Sequence, residues 1–393
     1  MSRIVLVIMS ALVLAGCAAA ARQAIPPNLA SSAKVIGLET EVIRFWGDEA
    51  PKHLSAIKRR IQKQRRTAAR SVPRLALNRA ESALVISGGG SNGAFGAGLL
   101  TGWSQSGKRP EFILVTGVST GALMAPFAFL GPGHDHVLRE FYTSYSTKDI
   151  LRPTVLAGLF GGAAVTSSDP LAGLITKYMT KRVMHLIANE HRRGRRLLIG
   201  TTNLDAQRPV IWNIGAIATV GTDRSLNLIR RVLLASASIP GLFPPVMINV
   251  RVNGKATQEM HVDGGTTDNA ILVPIETNLN KLDPSRRRSR HRRMFVIVNS
   301  RLDPEWKSVK IATLDIATRS ISTLIKQQTI GDLLKLYDFS KKNRISFNLA
   351  AVPSDFKIKP KEAFDRAFMT ALFKRGEQLG RQGYRWMKRS PVR

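Results

Sequence analysis

The chain has a single cysteine, Cys17, in 393 residues, so no disulfide can form within it. Its N-terminal apolar run, residues 4–14, is well short of the ~20 residues needed to span a bilayer. It is poor in acid: 27 Asp and Glu stand against 59 Lys and Arg, a formal charge of +32. Such a surface attracts polyanions, whether nucleic acid, anionic lipid head groups or lipopolysaccharide, and charge alone does not choose among them. The seven histidines offer no obvious base: His53 and His291 sit in basic runs, His185 and His191 in a basic helical stretch, and His134 and His136 in a loop. A hydrophobic fraction of 44% with 31 glycines excludes a disordered chain and fits one large domain or two smaller ones.

What is present begins with a leader pattern. Arg3, the apolar run and Ala15-Gly16-Cys17 have the layout of a secretory signal. Leu14-Ala15-Gly16-Cys17 also resembles the lipobox of bacterial lipoproteins, which implies removal of residues 1–16 and lipidation of Cys17. The expected location is the bacterial cell envelope, lipid-anchored at the outer membrane on its periplasmic side. Cleavage near Ala18-Ala19-Ala20, giving a soluble secreted protein, is the alternative. Residues 17–75 read as a tether and basic arm, in which Leu54, Ile57 and Ile61 at helical spacing among lysines and arginines predict a basic amphipathic helix.

From about residue 76 the pattern alternates. Residues 83–86 and 112–115 predict buried strands, and 95–103 and 122–130 predict helices. Short turns join them, which implies a largely parallel central sheet flanked by helices, an α/β fold. Further strands are expected at 197–202, 210–214, 260–262, 294–298 and 345–352, and helices at 169–190, 223–237, 305–340 and 362–388. Asp169 is expected as an N-cap with Pro170 behind it.

Two glycine-framed turns, about thirty residues apart, each follow a strand and precede a helix. Gly117-Val118-Ser119-Thr120-Gly121 places Ser119 at a sharp elbow, where flanking glycines relieve crowding and the Thr120 N–H faces the site. Gly88-Gly89-Gly90-Ser91-Asn92-Gly93 leaves backbone N–H groups bare at a helix start, a cradle for an anion. The same six residues fit a dinucleotide fingerprint, but the next strand ends in Ser119 where that motif requires an acid. Asp263, before Gly264-Gly265, is a candidate base at a strand's C-terminal end, or an aspartate merely closing a turn. The apolar stretch 155–162 reads as part of an apolar site or a lipid-facing lid, and equally as an ordinary buried loop.

Taken in order, the 88–93 turn, Gly117-x-Ser119-x-Gly121 and Asp263-Gly264-Gly265 resemble the patatin-like phospholipases. Residues 235–245, Ala-Ser-Ala-Ser-Ile-Pro-Gly-Leu-Phe-Pro-Pro, are similar to another stretch of that family. The resemblance covers about 80–305 and implies a catalytic domain over 76–305 with a helical C-terminal extension, 306–393, packed on it. It further implies lipid acyl hydrolysis by a Ser–Asp dyad without cofactor or metal. Ser119 would be the nucleophile and Asp263 the base, with the N–H groups of Gly88, Gly89, Gly90, Ser91 and Thr120 as the oxyanion hole. The expected partners are a phospholipid or other acyl lipid and the membrane surface, with no specific nucleic acid. Asn92 stands where the family usually has Arg or Lys, which removes a charge from the cradle. Two readings compete: a non-enzymatic basic envelope lipoprotein that binds anionic polymers or lipids, and a histidine-dependent α/β-hydrolase.

Overall fold

A computed structural model describes residues 22–39, 42–50, 54–71, 81–153, 164, 166–272 and 292–390. The strands are β1 (Lys34–Val35), β2 (Arg44–Trp46), β3 (Glu81–Ile86), β4 (Leu114–Val118), β5 (Arg152–Pro153), β6 (Thr166–Ser167), β7 (Arg196–Asn203), β8 (Arg208–Asn213), β9 (Val246–Val252), β10 (Lys255–Asp263), β11 (Arg292–Val298) and β12 (Ile345–Ala351). The helices are α1 (Leu54–Ser71), α2 (Gly93–Gln105), α3 (Thr120–Leu130), α4 (Asp135–Thr143), α5 (Thr147–Ile150), α6 (Asp169–Tyr178), α7 (Lys181–Arg192), α8 (Ile214–Val220), α9 (Asp223–Ser236), α10 (Thr313–Lys342) and α11 (Arg366–Gln382). The leader, Cys17, residues 155–162 and His291 lie outside the described residues. No described helix is long and apolar enough to cross a membrane.

One sheet organises the chain. Strands β7, β4, β3, β11 and β12 pair in that order, all parallel. Their side chains alternate between two buried faces, which is why the sequence reads as continuous apolar runs. Leu84, Ile86, Phe295 and Ile297 join the larger core, with Phe95, Trp103 and Phe129 from the helices. Val85, Met294, Val296 and Val298 join the other, closed by Leu333, Leu336 and Phe339 of α10. An antiparallel portion, β10, β9 and β1 on one path and β8 with β2 on another, completes the mixed sheet.

Several expectations shift. The second strand spans Leu114–Val118, starting two residues late and running on through Gly117 to the elbow. The helix expected over 169–190 is two: Met179 leaves helical geometry at ψ 76° and Thr180 restarts the chain by accepting from the Val183 N–H. Ser168, not Asp169, holds the N-cap position of α6. The short strand expected at 260–262 is the end of nine-residue β10, which forms a hairpin with β9 across Asn253-Gly254. Within the 17–75 arm, β1 and β2 pair with β9 and β8. Within 306–393, β12 is an outer strand of the sheet.

The last helix is held by glycine. Gly98 and Gly102 of α2 face Gly376 and Gly380 of α11, and a Cβ on Gly98 or Gly102 would lie 2.1 or 2.0 Å from the Phe373 or Glu377 carbonyl oxygen. Backbones this close leave no room for larger residues, so four glycines fix α11 on the helix that follows the first glycine turn. Gly383, at φ 91°, ends α11 well before residue 388.

Candidate active site

Strand β7 explains how Ser119 and Asp263 meet. Its residues 198–203 pair with β8 along one edge. Along the other edge, 196–200 pair with β4 and 201–203 with β10. The first pairing is parallel and the second antiparallel, so β4 and β10 approach each other head-on. Val118 lies opposite Gly200, which brings Ser119, one residue on, to the level of Thr201. Thr201 is the partner of Asp263. Asp263 does end a strand, as expected, and because that strand runs antiparallel to β7 the C-termini of β4 and β10 abut.

Ser119 occupies a strained conformation, φ 56° and ψ −126°, between β4 and α3. The elbow is held from both sides. Its N–H donates to Ser236 Oγ at 3.0 Å, and that hydroxyl donates to Gly200 O at 2.6 Å. A Cβ on Gly117 would lie 2.4 Å from Gly121 O, and one on Gly121 2.4 Å from Ile86 O. The glycines of this motif are thus required by close backbone approach.

Asp263 is buried and its N–H donates to Ser238 O at 2.9 Å. Oδ1 accepts from the Gly265 N–H at 2.7 Å. Oδ2 has no hydrogen-bond partner among the described residues. Burial pushes the carboxyl up to about 7, while the nearby Ser119 hydroxyl and the Gly265 N–H pull it back toward the ordinary value.

The first glycine turn lies beside this pair, and its N–H groups differ. Gly88 N–H is already bonded to Asn269 Oδ1 at 3.1 Å and faces Asn269 O at 3.3 Å, so it is not a free donor, contrary to expectation. The N–H groups of Gly89, Gly90, Ser91 and Thr120 have no acceptor among the described residues. Gly89, at φ 154°, passes so close to Asn299 that a Cβ would sit 2.0 Å from its carbonyl oxygen. Asn299 also donates from Nδ2 to Ser87 O at 2.8 Å and accepts from Gly96 N–H at 3.1 Å. Asn269 donates from Nδ2 to Thr329 Oγ1 at 2.6 Å, and its N–H donates to Asp332 Oδ2 at 2.7 Å, both on α10. Ser236 falls in the 235–245 stretch and was within reach of sequence reasoning. Asn269, Asn299 and Asp332 carry no local signal, since each acts across more than 60 residues of chain.

Gly90, Ser119 and Thr120 open onto a narrow cavity of about 30 Å³ whose wall is apolar, including Leu123, Phe141, Ile239, Phe243, Phe364 and Met369. Tyr142 closes one side by donating to Thr120 O at 3.0 Å, and burial pushes its phenol far up. No histidine lines the cavity. His261, two residues from Asp263, has both ring nitrogens engaged, by Thr201 Oγ1 at 2.9 Å and Glu259 Oε2 at 3.0 Å.

A serine on a strand-to-helix elbow, a buried carboxyl and unbonded N–H groups beside an apolar cavity define a site suited to acyl transfer. Residues 84–278 match the patatin-like phospholipase family and form a domain of that kind. The chain is also similar to the crystal structure of VipD from Legionella pneumophila, at 12% identity and TM-score 0.32, over 78% of this chain and 67% of that one. It is similar to human GIVD cytosolic phospholipase A2, at 9% identity and TM-score 0.29, over 81% of this chain and 56% of that one. No curated protein matches it.

Proposed function

We propose that the chain hydrolyses acyl esters of membrane lipids, phospholipids among them, through a Ser119–Asp263 dyad. Ser119 Oγ attacks the ester carbonyl while Asp263 takes the hydroxyl proton. The oxyanion is received by the N–H groups of Gly89, Gly90, Ser91 and Thr120, which cost no reorganisation because nothing else claims them. Collapse forms the acyl-enzyme and releases the alcohol, which leaves with the proton held on Asp263. Water then gives its proton to Asp263 and attacks the acyl carbon, and the returning proton restores Ser119. A carboxyl near 7 suits both directions of transfer at neutral pH.

The observation that carries this reading is the head-on meeting of β4 and β10, which brings Ser119 level with a carboxyl whose Oδ2 is unbonded. Labelling by a fluorophosphonate probe, lost in Ser119→Ala, tests it. Full ester turnover by purified Ser119→Ala would refute it. We also propose that Cys17 is lipidated and holds the enzyme at the cell envelope, its expected outer-membrane side included. Cys17→Ser is expected to move the protein from the membrane to the soluble fraction, and unchanged fractionation would remove this part.

A further inference from the structure

Strands β11 and β12 run parallel to β4, so all three leave the sheet at the same edge, the one that carries Ser119. Two segments depart there, 299–328 after β11 and 352–365 after β12. Ten large hydrophobic side chains are exposed among the described residues, and six lie in these two segments: Trp306, Val309, Ile311, Ile316, Leu324 and Ile358. Ile311 is 100% exposed, Trp306 85% and Leu324 70%, so these are not half-covered core residues.

Geometry explains the exposure. Helix α10 has 30 residues and is about 45 Å long at 1.5 Å per residue. The strand it returns to, β12, has seven residues and spans only about 23 Å. Burial along α10 begins at Thr329, and Leu333, Leu336 and Phe339 cover the sheet. The N-terminal half therefore projects past the sheet, beyond the edge that bears the candidate site. Lys307, Lys310, Lys357, Lys359 and Lys361 are exposed around the apolar side chains, and none enters an ion pair among the described residues.

We propose that this edge is a docking surface for an anionic lipid bilayer. The inference rests on the acyl-hydrolase reading for its purpose, which is to bring the cavity at Ser119 against the layer that holds its substrate. Exposed apolar side chains gathered at one edge, as six of the ten are here, mark an interaction site, where scattered ones would not. A tryptophan belongs at the head-group level, where its ring is apolar and its N–H stays wet. Lysines at the same depth meet lipid phosphates, and their stems lie along the apolar zone. The chain's +32 favours such a surface further. A second copy is a poorer occupant, because a two-fold contact would bring ten unpaired lysines together.

The test uses the full chain with Cys17→Ser and Ser119→Ala, so that neither an acyl anchor nor hydrolysis contributes. The triple change Trp306→Gln, Ile311→Gln, Leu324→Gln is expected to weaken sedimentation with phosphatidylglycerol/phosphatidylcholine vesicles by about tenfold or more. The part of the fluorescence lost in Trp306→Phe should be quenched by lipids brominated on the acyl chain. Lys307→Glu with Lys310→Glu, a milder change, should weaken binding to phosphatidylglycerol vesicles but not to pure phosphatidylcholine. With Ser119 restored, the triple variant should keep turnover of a soluble short-chain ester and lose turnover of vesicle lipid. Unchanged vesicle affinity or an unquenched Trp306 would overturn the proposal. So would a dimer that the triple change dissolves in light scattering, which would make the patch a contact between copies. Absence of soluble-ester turnover in the wild type would remove the hydrolase reading alone, since vesicle binding decides the docking edge independently.

Discussion

Two buried acids on β10 meet opposite fates four residues apart. Glu259 and Asp263 are 1% and 2% exposed. Burial pushes Glu259 upward, but the His261 hydrogen bond and the Arg44 guanidinium outweigh it and bring the carboxyl down to about 2. Asp263 has no cation beside it, one backbone N–H and an unbonded oxygen, and rises to about 7. The first is a structural charge, satisfied on every side. The second is a costly group for which the fold supplies no counter-charge, as the base proposed for it would require. The residues between them sharpen the contrast. Trp212 Nε1 can only donate, so Thr201 Oγ1 accepts from it at 2.8 Å and turns its own hydroxyl to His261 Nδ1. His261 Nε2 then carries the proton that Glu259 accepts, and burial holds the ring neutral.

The sharpest way to break this comparison is to neutralise each acid in turn. Asp263→Asn is expected to cut kcat/KM for ester hydrolysis by at least ~10³-fold while the protein stays folded by circular dichroism. Glu259→Gln should do the reverse: activity per folded molecule persists, and urea unfolding shows a loss of about 2–3 kcal/mol because half-buried Arg44 loses its carboxylate partner and keeps only the Ala33 carbonyl. A folded but inactive Glu259→Gln would place the His261 network in the chemistry.

The pH dependence follows from Asp263 with its sign. In the proposed mechanism Asp263 acts as base only when ionised, so kcat/KM on a soluble ester should rise with pH through about 7 and fall about tenfold per unit below it. The folded pKa lies above the unfolded value of 3.8, so the folded state binds this proton more tightly. That contribution is whole at low pH and is lost as pH rises from about 4 through about 7. Asp263→Asn should therefore raise Tm over wild type more at pH ~8 than at pH ~5. Equal differences at both pH values would mean that Asp263 is not perturbed. The smallest effect is expected for Thr201→Val, which deletes two buried hydrogen bonds: about 1–3 kcal/mol of stability, with ester turnover unchanged.

The elbow and the glycine turn were legible because their chemistry is local. Ser119 needs a strand, a turn and a helix in sequence, and Gly117 and Gly121 show their need for space without any distant partner. The 223–237 helix and the 294–298 strand were legible for the same reason, a clear period between clear stops. Asp263 could be picked out only through resemblance, since Asp-Gly alone closes many turns. The break at Thr180 escaped because an apolar period runs through it unbroken. The exposure of Trp306, Ile311 and Leu324 escaped because side-chain type does not reveal where a helix outruns its sheet.

By itself the sequence determined the alternation of strand and helix, the elbow that carries Ser119 and the glycine turn beside it, each set within a short stretch of chain. Tertiary structure alone decided that Gly88 N–H is taken by Asn269 and that Asp263 arrives on an antiparallel strand. It also decided that α10 overhangs the edge that carries Ser119. Each of these depends on which backbone edges pair and in what register, and that choice is made by contacts between residues far apart in the chain.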